Sequence, residues 1–171
     1  MIGVGQRFPE YTLNCVDLNN EMCEVNTWTN DEDNSWQVIY FYPKDFTFIC
    51  PTEIAGMDIL VDHADVIGIS GDNEFCKMAW KTAVGAIREI KHTLAADCGL
   101  YLAEELGIVD NNEGVALRAT YIIDPDGYIQ HVSVNALDTG RNANEVLRTL
   151  QGLQAGGLTG CEWQPGDDFV A

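Results

Sequence analysis

The sequence predicts an α/β domain in which a central mixed sheet is flanked by helices, and three observations carry that expectation. Two short apolar runs, residues 36–42 and 65–71, are rich in aromatic and β-branched residues and suit strands buried on both faces. Each is followed by a stretch with helix-start signals, and such a β-α-β-α order at short spacing predicts parallel pairing with right-handed crossovers. Further on, Asp124-Pro125-Asp126-Gly127 separates residues 117–123 from 128–134. Pro fixes φ there and Gly supplies positive φ, so these two runs close an antiparallel hairpin.

In chain order, residues 10–16 read as an edge strand, and the acidic, Asn-rich residues 26–35 as a surface loop ahead of the central strand. Pro51 just after Cys50, with Glu53 behind it, starts a helix that runs to about residue 61. Cys50 thus falls at a strand-to-helix junction, where unpaired N–H groups bias a thiol toward the thiolate that attacks electrophiles. After the strand 65–71, Asn73 caps a helix from 74 to about 91. Residues 94–97 are a short strand, 100–106 a short helix ended by Gly107, and 111–114 a loop. From Asn142, Val146, Leu147, Leu150 and Leu153 keep helical spacing until Gly156-Gly157 stop it. The division expected is a domain over 1–157 and a mobile C-terminal tail over 158–171.

With 171 residues and 46% hydrophobic content, the chain can bury one sizeable core. Nine Lys and Arg stand against 27 Asp and Glu, and a balance of −18 argues against an electrostatic grip on nucleic acid or anionic lipid. The first residues lack a signal-peptide pattern and no apolar run reaches membrane-spanning length, so a cytoplasmic protein is expected. The six cysteines, at 15, 23, 50, 76, 98 and 161, have no C-x-x-C or zinc-knuckle spacing. Disulfides in such a compartment are expected to be transient and catalytic. Cys15, Cys23, Cys76 and Cys98 read as small apolar residues in or near the core, with Cys76, in a first helical turn, the best of them for a minor reactive thiol. His63, His92 and His131 read as ordinary surface or strand residues.

Strand, Cys at a helix start, strand, helix, hairpin, helix is the layout of a thioredoxin-like domain with an added N-terminal segment. Thiol–disulfide oxidoreductases of that architecture usually carry a second Cys three positions on, whereas here Cys50 is followed by Pro51-Thr52-Glu53. A lone nucleophile implies that any disulfide partner comes from elsewhere.

The stretch Pro43-Lys44-Asp45-Phe46-Thr47-Phe48-Ile49-Cys50-Pro51-Thr52-Glu53 resembles the peroxiredoxin active-site signature P-x-x-x-[TS]-x-x-C. Ala79-Trp80, Arg118 leading into Tyr121-Ile122-Ile123-Asp124-Pro125-Asp126-Gly127, Gly140-Arg141 and the tail Cys161-Glu162-Trp163-Gln164-Pro165-Gly166 extend the resemblance to the typical two-cysteine peroxiredoxins of the alkyl hydroperoxide reductase C branch. It implies a thiol peroxidase that reduces hydrogen peroxide and organic hydroperoxides, with no metal, haem or flavin. Cys50 would be the attacking thiol, Thr47 and Arg118 its partners, and Pro43 a shield over the pocket, with Glu53 and Arg141 orienting the guanidinium. Cys161 would be the resolving thiol, although here it sits two residues from Trp163, closer than the common V-C-P-x-x-W spacing. A thiol–disulfide reductant protein and a homodimer, assembled into a ring, are the implied partners.

These residue types suit the chemistry. In-line attack of a thiolate on oxygen passes negative charge to the departing oxygen, so the site must stabilise both, and helix N–H groups, the Thr47 hydroxyl and the fixed cation of Arg118 can do so. A redox relay or a holdase chaperone would not need Thr47 and Arg118 around the thiol. For Arg118 the plainer alternative is a strand-end surface charge, and for Arg141 an ordinary Gly-Arg turn.

Overall fold

The computed structural model describes residues 1–28 and 34–171. In chain order its elements are β1 (Thr12–Val16), β2 (Met22–Asn26), β3 (Gln37–Phe41), α1 (Cys50–Met57), β4 (Asp65–Ser70), α2 (Glu74–Ala83), α3 (Gly85–Arg88), β5 (Thr93–Ala96), α4 (Tyr101–Leu106), β6 (Val109–Asp110), β7 (Val115–Ala116), β8 (Arg118–Ile123), β9 (Ile129–Asn135) and α5 (Ala143–Ala155). Seven strands form one mixed sheet in the order β2-β1-β5-β4-β3-β8-β9, and β6 and β7 make a separate ribbon. The centre is parallel, β3 on β4 and β4 on β5, while β8 runs antiparallel to β3 with Tyr40 opposite Thr120.

Strand alternation sorts the core into two layers. From β3, Val38 and Tyr40, with Tyr42 just beyond, pack with Cys50, Ile54, Met57, Trp80, Ile87, Val146 and Leu150, so α1, α2, α3 and α5 cover that face. Ile39 and Phe41 point the other way, onto Phe8, Leu102, Leu106 and Tyr121, where α4 lies. Every residue of β3 is buried, as a strand covered on both faces requires. The Asp124–Gly127 turn forms as expected: Gly127 has φ +87° and donates its N–H to the Asp124 carbonyl, and the Asp124 carboxylate accepts from the N–H groups of Asp126 and Tyr128.

Several expectations are corrected. β1 is not an edge strand, because β2 pairs outside it, and β2 escaped notice because its five residues include two acids or amides and only half-bury. The expected loop 26–35 loses Asn26 to β2, and residues 29–33 lie outside the described residues. The helix capped by Asn73, whose carboxamide accepts from the Cys76 N–H at 2.9 Å, stops at Ala83, where Val84 turns extended and Gly85 starts a separate turn of helix. Residues 111–114 are a loop as expected, the turn of the β6–β7 ribbon. His92 is buried rather than superficial, held at 2.8 Å by both the Tyr40 hydroxyl and the Asp58 carboxylate. Cys15 and Cys23, directly opposite across β1 and β2 with Cα atoms 5.2 Å apart, form a disulfide beside the core, where only transient catalytic disulfides were expected. Cys98 is exposed.

The tail folds back on α5. Trp163 is buried against Gly152, stacks on Phe169, and its carbonyl accepts from Arg148. The Val170 N–H returns to the Leu158 carbonyl. Among the described residues no helix is long and apolar enough to cross a membrane.

Candidate active site

Cys50 opens α1 at the carboxyl end of β3, the end of a parallel strand where α/β sheets place their ligands. Pro51 suits the first turn because its missing N–H would be unpaired there in any case. The sulfur is fully buried, at the floor of a cavity of about 460 Å³ walled by Pro43, Thr47, Phe48, Val115, Arg118 and Leu137. A second cavity, about 380 Å³ at Trp28, Gln37, Lys91 and His92, lies at the opposite, amino end of the parallel strands and holds no thiol.

Arg118 reaches Cys50 across the sheet. Continuing the β3–β8 register two residues past Tyr40 and Thr120 brings the first residue of β8 level with Tyr42, beside the loop that carries the thiol. Its Nη1 lies 3.5 Å from Cys50 Sγ and 2.6 Å from Glu53 Oε2, and its Nε donates to the Leu137 carbonyl at 2.8 Å. Burial works against the guanidinium, but its bond to Cys50 and the Glu53 charge more than offset this and raise its pKa. The surface-charge reading of Arg118 therefore fails: the residue is 5% exposed.

Glu53, one turn along α1 from Cys50, uses both oxygens. Oε2 takes Arg118, and Oε1 accepts from the backbone N–H and the Nε of Arg141, each at 3.0 Å. Arg141 in turn donates to the Ala119 carbonyl and Thr120 Oγ1 at 3.0 Å, donates to the Phe41 carbonyl, and lies 4.9 Å from the Tyr40 ring centre. A buried carboxylate between two guanidiniums satisfies all three charges and leaves Arg118 little freedom to swing off the sulfur. Thr47 lines the cavity with its hydroxyl donating to the Lys44 carbonyl at 2.9 Å, which leaves the oxygen lone pairs to accept a further hydrogen bond.

The fold thus gathers Pro43, Thr47, Cys50, Glu53, Arg118 and Arg141 into one site. It does not bring Cys161 there: that thiol is exposed on the tail, and neither it nor Cys50 is in a disulfide. Cys76 loses its standing as a minor reactive thiol, since burial, then the Asp45 and Asp72 charges, push its pKa up to about 11. Leu137, Val115 and Glu113 also wall the site. Sequence reasoning missed them because their contribution is a carbonyl from the segment between β9 and α5, at Leu137, or a wall from the β6–β7 ribbon, at Glu113 and Val115, which leaves no local pattern.

Residues 4–132 match the model of the AhpC/TSA family. The alkyl hydroperoxide reductase C of Mycolicibacterium smegmatis is 37% identical over 99% of this chain and 94% of its own length. Among solved structures, reduced 2-Cys peroxiredoxin from Plasmodium vivax superposes with a TM-score of 0.89 at 32% identity, covering 98% of this chain and 92% of that one. Plasmodium yoelii Prx1a, modified at its N-terminus and forming an artifactual octamer, gives 0.77 at 33% identity over 94% and 99%.

Proposed function

This chain belongs to the AhpC/TSA family and is a thiol-dependent hydroperoxide reductase, and from that premise we propose that Cys50 is the attacking thiol, Arg118 and Thr47 its partners and Cys161 the thiol that resolves the product. The observation that carries the assignment is Arg118 Nη1 at 3.5 Å from the buried Cys50 sulfur, at the start of a helix and in a cavity open to a small substrate.

The Cys50 thiolate attacks the terminal oxygen of ROOH, the S–O bond forms as the O–O bond breaks, and RO⁻ leaves to take up a proton as ROH. Arg118 and the N–H groups of the first turn of α1 stand where the charge moves from sulfur to oxygen. Thr47 orients the hydroperoxide proton, and Pro43 and Val115 limit water at the sulfur. Glu53 and Arg141 keep the guanidinium aimed. The sulfenic acid then condenses with the Cys161 thiol, releasing water and forming a disulfide. An external dithiol protein returns both cysteines to thiols.

Cys161 lies away from the floor of the pocket and the Cys50 sulfur is fully buried, so resolution requires the tail over 158–171 to leave α5, releasing Trp163, and the first turn of α1 to open, while the rest of the domain over 1–157 stays folded. We place the reaction across a homodimer closed into a ring. That reading is supported by the family membership. We place the protein in the cytoplasm, where a thiol supply can recycle the disulfide. The assignment is tested by peroxide consumption with a dithiol reductant, wild type against Cys50→Ser: the variant should lose all turnover, and a variant that retained it would move the chemistry to another thiol.

A further inference from the structure

A fully buried lysine stands behind the active-site loop and takes no part in the chemistry described so far. Lys77, on α2, and Asp45, in the loop, both have side chains with no exposed surface. The Lys77 ammonium donates to Ser70 Oγ at 2.6 Å, Tyr42 Oη at 3.0 Å and Asp45 Oδ1 at 3.4 Å, so its three N–H donors meet three acceptors. Ser70 closes the ring by donating to Asp45 Oδ1 at 3.0 Å, and the Asp45 backbone N–H donates to Asp72 Oδ2 at 2.8 Å.

We propose that Lys77 is a positioning residue for peroxide reduction, clasping Tyr42 and Asp45 on either side of Pro43-Lys44 and thereby setting Pro43 and Thr47 over the Cys50 sulfur. Two of the four groups, Lys77 and Ser70, belong to α2 and β4; the other two, Tyr42 and Asp45, belong to the segment that leads from β3 to α1. The loop needs holding, because Phe46, between Asp45 and Thr47, sits at φ +56°, which costs a non-glycine residue about 1–2 kcal/mol. Stability alone is a weak reason for such a pair, since burial disfavours both charges, lowering the Lys77 pKa and raising that of Asp45. What the pair supplies is direction: a loop whose anchor has one arrangement presents the Thr47 hydroxyl in one place.

The inference rests on the peroxidase reading of Cys50, and its test separates peroxide chemistry from thiol reactivity. Two rates are measured at Cys50 in wild type, Lys77→Met and Ser70→Ala: oxidation by hydrogen peroxide, which needs Thr47 and Pro43 in place, and alkylation by iodoacetamide, which needs only an accessible thiolate. Lys77→Met should slow oxidation at least tenfold and Ser70→Ala at least threefold, with alkylation within twofold of wild type in both. If Lys77→Met does not fold, Lys77→Met/Asp45→Asn, which buries no charge, is read by the same criterion, and Ser70→Ala gives an answer in either case. Oxidation within threefold of wild type in a folded Lys77→Met, or in the double variant that replaces it, overturns the proposal. So does an equal fall in both rates. A wild-type Cys50 that is alkylated but not oxidised by peroxide would instead overturn the peroxidase reading, a result seen before any variant is made.

Discussion

Removing the Arg118 guanidinium tests the site most directly. At 3.5 Å from the sulfur, a full charge pair at an effective dielectric near 20 attracts by about 5 kcal/mol. Most of that is felt by the thiolate before the reaction begins and so lowers the ground state as well as the transition state. The part that changes rate is the stabilisation of charge as it moves to the departing oxygen, about 3 kcal/mol for one well-placed donor. That predicts a fall of about 150-fold in the second-order rate for Arg118→Ala. The fold should survive, because Glu53 keeps Arg141 on its other oxygen. Stopped-flow fluorescence can follow the oxidation, since Trp80 is packed beside Tyr42 and Phe46, the residues that flank Pro43 and Thr47. Arg118→Lys, which keeps the charge but not the planar fork that holds Cys50, Glu53 and Leu137 together, should fall between the two. A folded Arg118→Ala that reacts within about threefold of wild type would mean that the guanidinium does not stabilise the transition state, and the roles drawn around it would have to be withdrawn.

Glu53→Gln removes the shared carboxylate from between two buried guanidiniums, so it should cost about 3 kcal/mol in urea unfolding and slow peroxide reduction at least tenfold; unchanged values for both would show that Arg118 is oriented by other groups. Peroxide-treated protein should run as a disulfide-linked dimer on non-reducing gels and Cys161→Ser should not, whereas a monomer with all its thiols consumed would place resolution within one chain. Burial holds the His92 imidazole below 6.5, with Asp58 opposing in part. The unfolded chain therefore takes up a proton as pH falls through 6.5 while the native state does not, and stability is lost from 6.5 downward to the native value. Burial lowers His131 as well, so His92→Asn should flatten, without abolishing, the fall in urea midpoint between pH 7.5 and 5.5, and a higher midpoint at pH 5.5 in wild type would contradict the sign. Closing the loop between Cys15 and Cys23, a separation of 8, constrains the unfolded chain by about 2.5 kcal/mol, so Cys15→Ser/Cys23→Ser should unfold at lower urea while peroxide turnover holds.

The local rules written into the chain were enough for the parts that depend on near neighbours. Asn73 and Asn142 cap helices because a short side-chain acceptor precedes a helical run, and Gly107, Gly127 and Gly156 sit at φ near +70 to +90° where the chain must turn. The apolar run at 38–41 suits a strand covered on both sides, and Pro51 behind Cys50 put the thiol at a helix start. Sequence also pointed to Arg118, Glu53 and Arg141 through family resemblance. Only the sheet made them one site, because its register sets the start of β8 beside the end of β3, 68 residues away in sequence from Cys50 to Arg118.

Where pairing or burial decided the outcome, the sequence was silent. Met22-Cys23-Glu24-Val25-Asn26 is too polar to announce a strand, and becomes β2 because β1 offers it a hydrogen-bonding edge; that pairing in turn sets Cys23 opposite Cys15. A lysine in an amphipathic helix reads as solvated, yet Lys77 is buried because Tyr42, Ser70 and Asp45, from two other segments, converge on its ammonium with enough acceptors to replace water. Cys76, one residue earlier, had the helix-start position that favours a thiolate and lost that advantage to burial and to the carboxylates of Asp45 and Asp72, which only the tertiary fold brings near. Propensity and capping act over a few residues and are legible in the chain, whereas burial and charge pairing depend on which distant segments meet, and that is settled when the sheet closes.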